Sequence, residues 1–77
     1  MEINVLFFGI LADMTGTSFR TYLQVASYND LMMRIRDDFP PISHYKFRIS
    51  HNRILIENDP SLHDGDEIAL LPPFYGG

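Results

Sequence analysis

A single amphipathic helix, bounded at both ends, is the feature that most limits how this chain can fold. Apolar side chains recur at helical spacing at Tyr28, Leu31, Met32, Ile35 and Phe39. Ser27 can cap the first free N–H groups, and Pro40-Pro41 ends the helix because proline lacks an N–H and clashes with the preceding turn. A helix with one apolar stripe needs a partner layer, so the remaining apolar segments are expected to form a sheet.

Five segments are predicted as strands from their β-branched and aromatic content: residues 3–8, 18–25, 46–50, 54–56 and 67–71. The first two are separated by a short loop or helical turn, which favours an antiparallel pair. The predicted fold class is therefore α+β, with one main helix packed on one face of the sheet. We expect one domain over residues 1–71, followed by an extended arm over residues 72–77.

Composition excludes several classes of protein. The 77 residues contain no Cys, so neither disulfides nor thiolate-bound metals can stabilise the thin core of so small a domain. The net charge of −4 does not favour nucleic acid, and the basic residues between positions 34 and 53 are interpreted as a solvated face. No apolar run reaches the ~20 residues of a membrane span, and the N-terminal segment lacks the basic start of a signal peptide. The cytoplasm is the expected compartment.

No conventional active site is predicted. His44, His51 and His63 are too widely spaced for a local metal site. The acidic turn Asp64-Gly65-Asp66 lacks the spacing of a calcium loop and is typical of a tight turn instead. The chain also lacks a nucleophile elbow, a P-loop and a dinucleotide fingerprint, so neither a catalytic side chain nor a bound metal is expected.

The C-terminal segment is the unusual feature. Pro72-Pro73 stiffens the exit from the last strand, and the four residues after it can extend at most ~13 Å. Gly76 and Gly77 have no Cβ, so they can enter a narrow channel and leave the terminal carbonyl open to attack. The α-carboxylate is ionised at neutral pH and must be activated, most simply by AMP, before it can accept sulfur or an amine. An inert, frayed terminus is the alternative.

A second feature is an apolar patch on the sheet face that the helix does not cover. Five residues of the first and last strands are expected to face the helix: Ile3, Val5, Phe7, Ile68 and Leu70. Alternation then places four residues on the opposite face: Leu6, Phe8, Ala69 and Leu71. Such a patch is typical of a protein–protein contact. The alternative is that Ile42 or Tyr45 covers these side chains within the chain itself.

The C-terminal residues resemble those of the small subunit family of molybdopterin synthase. The resemblance rests on Leu62-His63-Asp64-Gly65-Asp66-Glu67-Ile68 followed by Leu71-Pro72-Pro73-Phe74-Tyr75-Gly76-Gly77, and it extends over essentially the whole chain. It implies a ubiquitin-like β-grasp fold with a mixed sheet of four to five strands. It also implies a sulfur carrier of molybdenum cofactor biosynthesis, a sulfur donor rather than a catalyst on its own.

By this resemblance, an adenylating enzyme related to ubiquitin-activating enzymes uses ATP and magnesium to activate the C-terminus, and a sulfur donor protein converts it to a thiocarboxylate. The large synthase subunit then receives the arm, and the sulfur passes to cyclic pyranopterin monophosphate. The implied roles are sulfur attachment at Gly77, clearance at Gly76, a tunnel-lining arm and an apolar dock. The arm comprises Pro72, Pro73, Phe74 and Tyr75, and the dock includes Phe8 and Leu71.

The chain departs from the family at two places, and three other functions stay open. Ala12 stands where a basic residue is common, and Leu70-Leu71 ends the last strand where aromatic residues are common. The alternatives are a sulfur carrier of thiazole synthesis, a ubiquitin-like protein modifier, and an interaction module with an inert tail. Lys46 is the only lysine, so chains linked through lysines of this protein have few options.

Overall fold

A computed structural model describes residues 1–73. Five strands form one mixed sheet in the order β2-β1-β5-β3-β4. Along the chain the elements are β1 (Ile3–Phe7), α1 (Ile10–Thr15), β2 (Phe19–Tyr22), α2 (Tyr28–Asp38), a 3₁₀ turn (Pro40–His44), β3 (Arg48–His51), β4 (Ile54–Ile56) and β5 (Glu67–Leu71). Strands β1 and β5 pair in parallel, and the other three pairs are antiparallel. The predicted α+β class, β-grasp arrangement and single main helix are confirmed.

Helix α2 forms where the apolar spacing predicts it. The Ser27 side chain accepts a hydrogen bond from the Asp30 N–H at 3.1 Å, and the helix ends at Asp38, before the two prolines. Leu31 and Ile35 are fully buried, and burying a side chain of this size contributes roughly 1.5–3 kcal/mol. This face packs against the sheet residues predicted to face it, which are all buried: Ile3, Val5, Phe7, Ile68 and Leu70.

Two predicted strand boundaries were wrong by more than one residue. Strand β2 ends at Tyr22 instead of continuing to residue 25, because Gln24 adopts a φ of 54° that breaks the extended backbone. The carbonyl groups of Leu23 and Gln24 accept hydrogen bonds from the Arg34 guanidinium on α2 and not from a neighbouring strand. Strand β3 begins at Arg48, not at residue 46.

A polar cluster fixes the start of β5 beside the β3–β4 hairpin. The Asp66 carboxylate accepts hydrogen bonds from the His51 ring at 2.6 Å, the His63 N–H at 2.9 Å and the Asn52 amide at 3.2 Å. Gly65 forms the turn before it with a φ of 85°, a backbone conformation that glycine adopts without strain. The predicted turn at residues 64–66 is confirmed, and it sets where β5 enters the sheet.

We expect Asp66→Asn to weaken the fold above pH 4 and to flatten its response to acid. The hydrogen bond from His51, and then that from His63, holds the pKa of Asp66 at about 2, below its usual 3.8. Because the folded pKa is the lower one, the stabilisation, on the order of 1 kcal/mol once solvent screening is allowed for, is complete above pH ~4 and is lost as the pH falls through ~2. Urea unfolding between pH 2 and pH 6 measures this directly.

Asp37→Asn is the matched control for that measurement, because Asp37 is exposed on α2 and undergoes the same chemical change. Its free energy of unfolding should follow the wild-type pH profile. If Asp66→Asn also reproduced that profile, the Asp66 cluster would contribute nothing to acid stability.

Candidate functional site

The sheet face opposite α2 carries an open groove of about 500 Å³. Its apolar lining consists of Leu6, Phe8, Leu55, Ala69, Leu71 and Pro73, and its polar lining consists of Arg48, Ser50, Arg53 and Glu67. The groove therefore lies across β1, β5, β3 and β4, and it reaches the residue at which the described chain ends.

Small side chains on the two central strands make this sheet face concave. One row of the sheet reads Leu6, Ala69, Ser50 and Leu55, each paired with the next across neighbouring strands. Ala69 and Ser50 are only 3% and 6% exposed, although no helix within residues 1–73 lies on this face. The two leucines consequently form the walls of a groove whose floor is Ala69 and Ser50.

The apolar patch predicted from strand alternation is confirmed. Leu6, Phe8, Ala69 and Leu71 all line the groove. The alternative that Ile42 or Tyr45 covers them is wrong. Ile42 is buried in the core on the helix side, and Tyr45 packs against that same core.

The predicted arm residues are only partly described. Half-buried Pro72 follows β5 directly, and exposed Pro73 lines the end of the groove. The four remaining predicted arm residues lie outside the described part of the chain: Phe74, Tyr75, Gly76 and Gly77. Their implied roles, and those of Phe8 and Leu71 in binding, stay predictions.

Six residues of this face were not predicted as site residues: Leu55, Phe19, Arg48, Arg53, Ser50 and Glu67. Leu55 is 49% exposed and forms one wall. Phe19 is 52% exposed and pairs with Leu6, which places it on the same face beside the groove. Arg48 and Arg53 belong to the basic segment that was interpreted as a solvated face. Alternation along β4 is the signal that could have identified Leu55, but its pairing with Ser50 is a long-range fact of the sheet.

The groove carries more positive than negative charge. Its one carboxylate, Glu67, lies 3.8 Å from the Nε atom of Arg53, whose side chain is 88% exposed. Arg48 forms no ion pair with any residue of the described range 1–73. The lining therefore combines an apolar centre with exposed guanidinium groups, which suits a protein surface better than a small metabolite.

The two departures from the resembling family have simple structural settings. Half-buried Ala12 lies on α1 and packs against the core. An alanine cannot form the salt bridge that a basic residue at this position could make. Leu70 is buried towards the helix, and Leu71 lines the groove. Leucine at position 71 keeps this part of the groove apolar.

Within residues 1–73, no group of three or more His, Asp or Glu side chains is arranged to hold a metal ion. The same part of the chain contains no helix that is both long and apolar enough to cross a membrane.

Comparison with known proteins gives a consistent set of relatives. Residues 5–77 match the ThiS family. The molybdopterin synthase sulfur carrier subunit of Chlamydomonas reinhardtii is 28% identical over 83 residues, with all of both chains covered. Two solved structures are also similar. One is a complex of subunits 1 and 2 of the molybdopterin-converting factor from Helicobacter pylori 26695 (29% identity, TM-score 0.74, all of both chains covered). The other is small archaeal modifier protein 1 from Methanosarcina acetivorans (24% identity, TM-score 0.81, 99% of this chain and 96% of that one), which supports the fold alone.

Proposed function

The chain belongs to the ThiS family, and from that premise we propose that it is the sulfur-carrying small subunit of a molybdopterin synthase. Its C-terminal Gly77 is adenylated, converted to a thiocarboxylate and inserted into the large subunit. There it donates sulfur to cyclic pyranopterin monophosphate. This chain supplies the sulfur, and the catalytic side chains belong to its partners.

The main structural support for this proposal is the position of the groove relative to the arm. Strand β5 runs along the groove floor, its last residue Leu71 lines the groove, and Pro72-Pro73 follows at once. A partner seated on the groove would thus lie beside the base of the arm. Two proline rings restrict the backbone at that point, so docking also limits the directions in which the last residues can extend.

The chemistry at Gly77 proceeds in two balanced steps. The carboxylate oxygen attacks the α-phosphate of ATP, pyrophosphate leaves, and an acyl adenylate forms. A sulfide equivalent from a donor protein then attacks the carbonyl carbon, the bond to AMP breaks, and the thiocarboxylate remains. The activating enzyme binds ATP and magnesium, so this chain contacts the nucleotide only through its own terminus. The reaction requires ATP and a reduced sulfur donor, and this requirement is consistent with a cytoplasmic location for the chain.

Two related functions share the activation step and differ in the acceptor. The ThiS family match also suits a sulfur carrier of thiazole synthesis, and a Gly-Gly terminus also suits a ubiquitin-like protein modifier. A modifier would yield an amide bond between Gly77 and an amine of a target protein. The 28% identical sulfur carrier subunit, matched over its whole length, favours the molybdopterin pathway over both.

Intact-protein mass spectrometry tests the proposal. The chain is incubated with its adenylating enzyme, ATP, magnesium and a sulfur donor, and the product is then mixed with the large subunit and cyclic pyranopterin monophosphate. We expect a mass gain equal to replacing one oxygen atom by sulfur, and its loss on transfer to the pterin. An unmodified terminus under these conditions, or a conjugate to another protein instead, would contradict the proposed function.

A further inference from the structure

We infer that Arg48 and Arg53 bind carboxylate groups of the docking partner, so that the groove selects an apolar polypeptide segment flanked by acidic side chains. We call these two residues the cationic margin. The inference rests on the proposed function, because the docking partner is the large synthase subunit. It adds the chemistry by which this groove would recognise that subunit.

The cationic margin borders the apolar centre at both ends of one strand. Arg48 is the first residue of β3 and pairs with Leu71 at the end of the groove from which the arm leaves. Arg53 lies in the turn after β3, near the opposite end of the groove. The four residues of β3 span about 10 Å at ~3.3 Å each. A partner segment of three or four residues could therefore fill the centre and place a carboxylate at each end.

Neither guanidinium is strongly engaged within the described chain, unlike two arginines on the other side of the sheet. Arg34 donates to the carbonyl groups of Leu23 and Gln24 and pairs with Asp30. Arg20 pairs with Asp38 and lies over two aromatic rings. These contacts link α2 to β2 and to the residues just after it, and they have a structural role.

The cationic margin has no comparable contacts. The only ion pair of Arg53 within residues 1–73 is the one to Glu67 at 3.8 Å, and Arg48 has none there. Arg48 and Glu57 both line a neighbouring cleft, but the Glu57 carboxylate is too far from the Arg48 guanidinium to form an ion pair. Both guanidinium groups therefore keep most of their hydrogen-bond donors for a ligand, and planar guanidinium matches carboxylate geometry.

The backbone conformation of the β3–β4 turn gives a second reason to assign Arg53 to the binding surface. Asn52 and Arg53 both have positive φ, at 49° and 71°. Asn52 suits this conformation, and its side chain accepts from the Glu67 N–H at 2.9 Å. A two-residue hairpin turn of this kind favours glycine at the second position, which Arg53 occupies. Turn geometry therefore does not account for an arginine here, whereas a charge held at the edge of the groove does.

Charge balance favours an acidic occupant of the groove in particular. The chain as a whole has a net charge of −4, but the groove lining contains two arginines and one glutamate. An acidic partner is repelled by most of this surface and attracted at the groove, which directs its approach to one face. Two copies of this chain would lack such complementarity, because their grooves carry the same charge.

Charge reversal in a binding titration tests the inference. Arg48→Glu and Arg53→Glu are compared with Arg36→Glu, which makes the same change at an exposed site on α2. With the molybdopterin synthase large subunit as the probe, each groove reversal should raise Kd by about tenfold at low salt, and Arg36→Glu by less than about twofold. The Kd of the groove variants should also depend less on salt concentration than the wild-type Kd.

Each outcome decides a different claim. Arg48→Gln and Arg53→Gln remove the charge without reversing it, so each should raise Kd by less than the corresponding reversal. Thermal unfolding of every variant checks that it is folded. If both reversals matched Arg36→Glu, or acted only on self-association, the inference would be overturned and the proposed function would stand. A wild-type chain that failed to bind the large subunit would overturn both.

Discussion

Removing Gly77 is expected to abolish sulfur delivery without changing the fold. The truncated chain ends one residue earlier, which withdraws the terminal carbonyl by about 3.5 Å. A displacement of 1 Å at a reacting centre can cost about a hundredfold in rate, so we expect cofactor formation to fall by at least that factor. The measurement is molybdopterin formed per large subunit in a reconstituted reaction, with thiocarboxylate formation followed by mass spectrometry.

A companion variant with one additional glycine after Gly77 separates the reach of the arm from the chemistry of its terminus. It keeps the chemistry of the terminus and changes only its reach, so it should be similarly impaired in transfer. The buried core lies within residues 3–70, so both variants should unfold at the wild-type temperature. Wild-type cofactor synthesis by the truncated chain would show that the last carbonyl carries no sulfur, and would leave an inert tail as the better interpretation.

Local sequence was sufficient for those elements whose signals are themselves local. The apolar spacing of α2, its Ser27 cap and the prolines after it define the helix within a few residues, and the structure agrees. Strands β4 and β5 were predicted with their observed bounds because turn residues or prolines border them. The end of β2 was missed because Gln24 has a positive φ that ends the extended backbone. The carbonyl groups of Leu23 and Gln24 then accept hydrogen bonds from Arg34 on α2, a long-range contact that local sequence does not reveal.

The candidate site divides in the same way. Alternation along two apolar strands was enough to predict that Leu6, Phe8, Ala69 and Leu71 share a face. The concave shape depends instead on which residues lie beside one another across β5, β3 and β4. Ser50 reads as an ordinary strand residue until its neighbours are known. Arg48 likewise became part of the site only through its pairing with Leu71, and Arg53 through the turn that joins β3 to β4.

We expect Leu55→Asp to weaken binding to the large subunit by at least about a hundredfold. Burying a leucine side chain in an interface contributes roughly 1.5–3 kcal/mol, and an aspartate there adds the cost of burying an unpaired charge. Leu55 is 49% exposed on an edge strand, so its replacement should leave the core unchanged. Phe8→Asp and Leu71→Asp should weaken binding in the same way, although both side chains are half-buried and their effect on folding must be measured separately.

The adjacent residue gives an unusually close control for that experiment. Ile54 is 69% exposed on the same short strand, but alternation directs its side chain to the other side of the sheet. Ile54→Asp introduces the same charge into the same edge one residue away, so any effect of net charge or strand propensity should be common to both variants. Calorimetric titration should therefore give near wild-type affinity for Ile54→Asp and a large loss for Leu55→Asp. Equal losses would mean that the partner contacts the β4 edge itself, and equal wild-type affinities would mean that the groove is not where it docks.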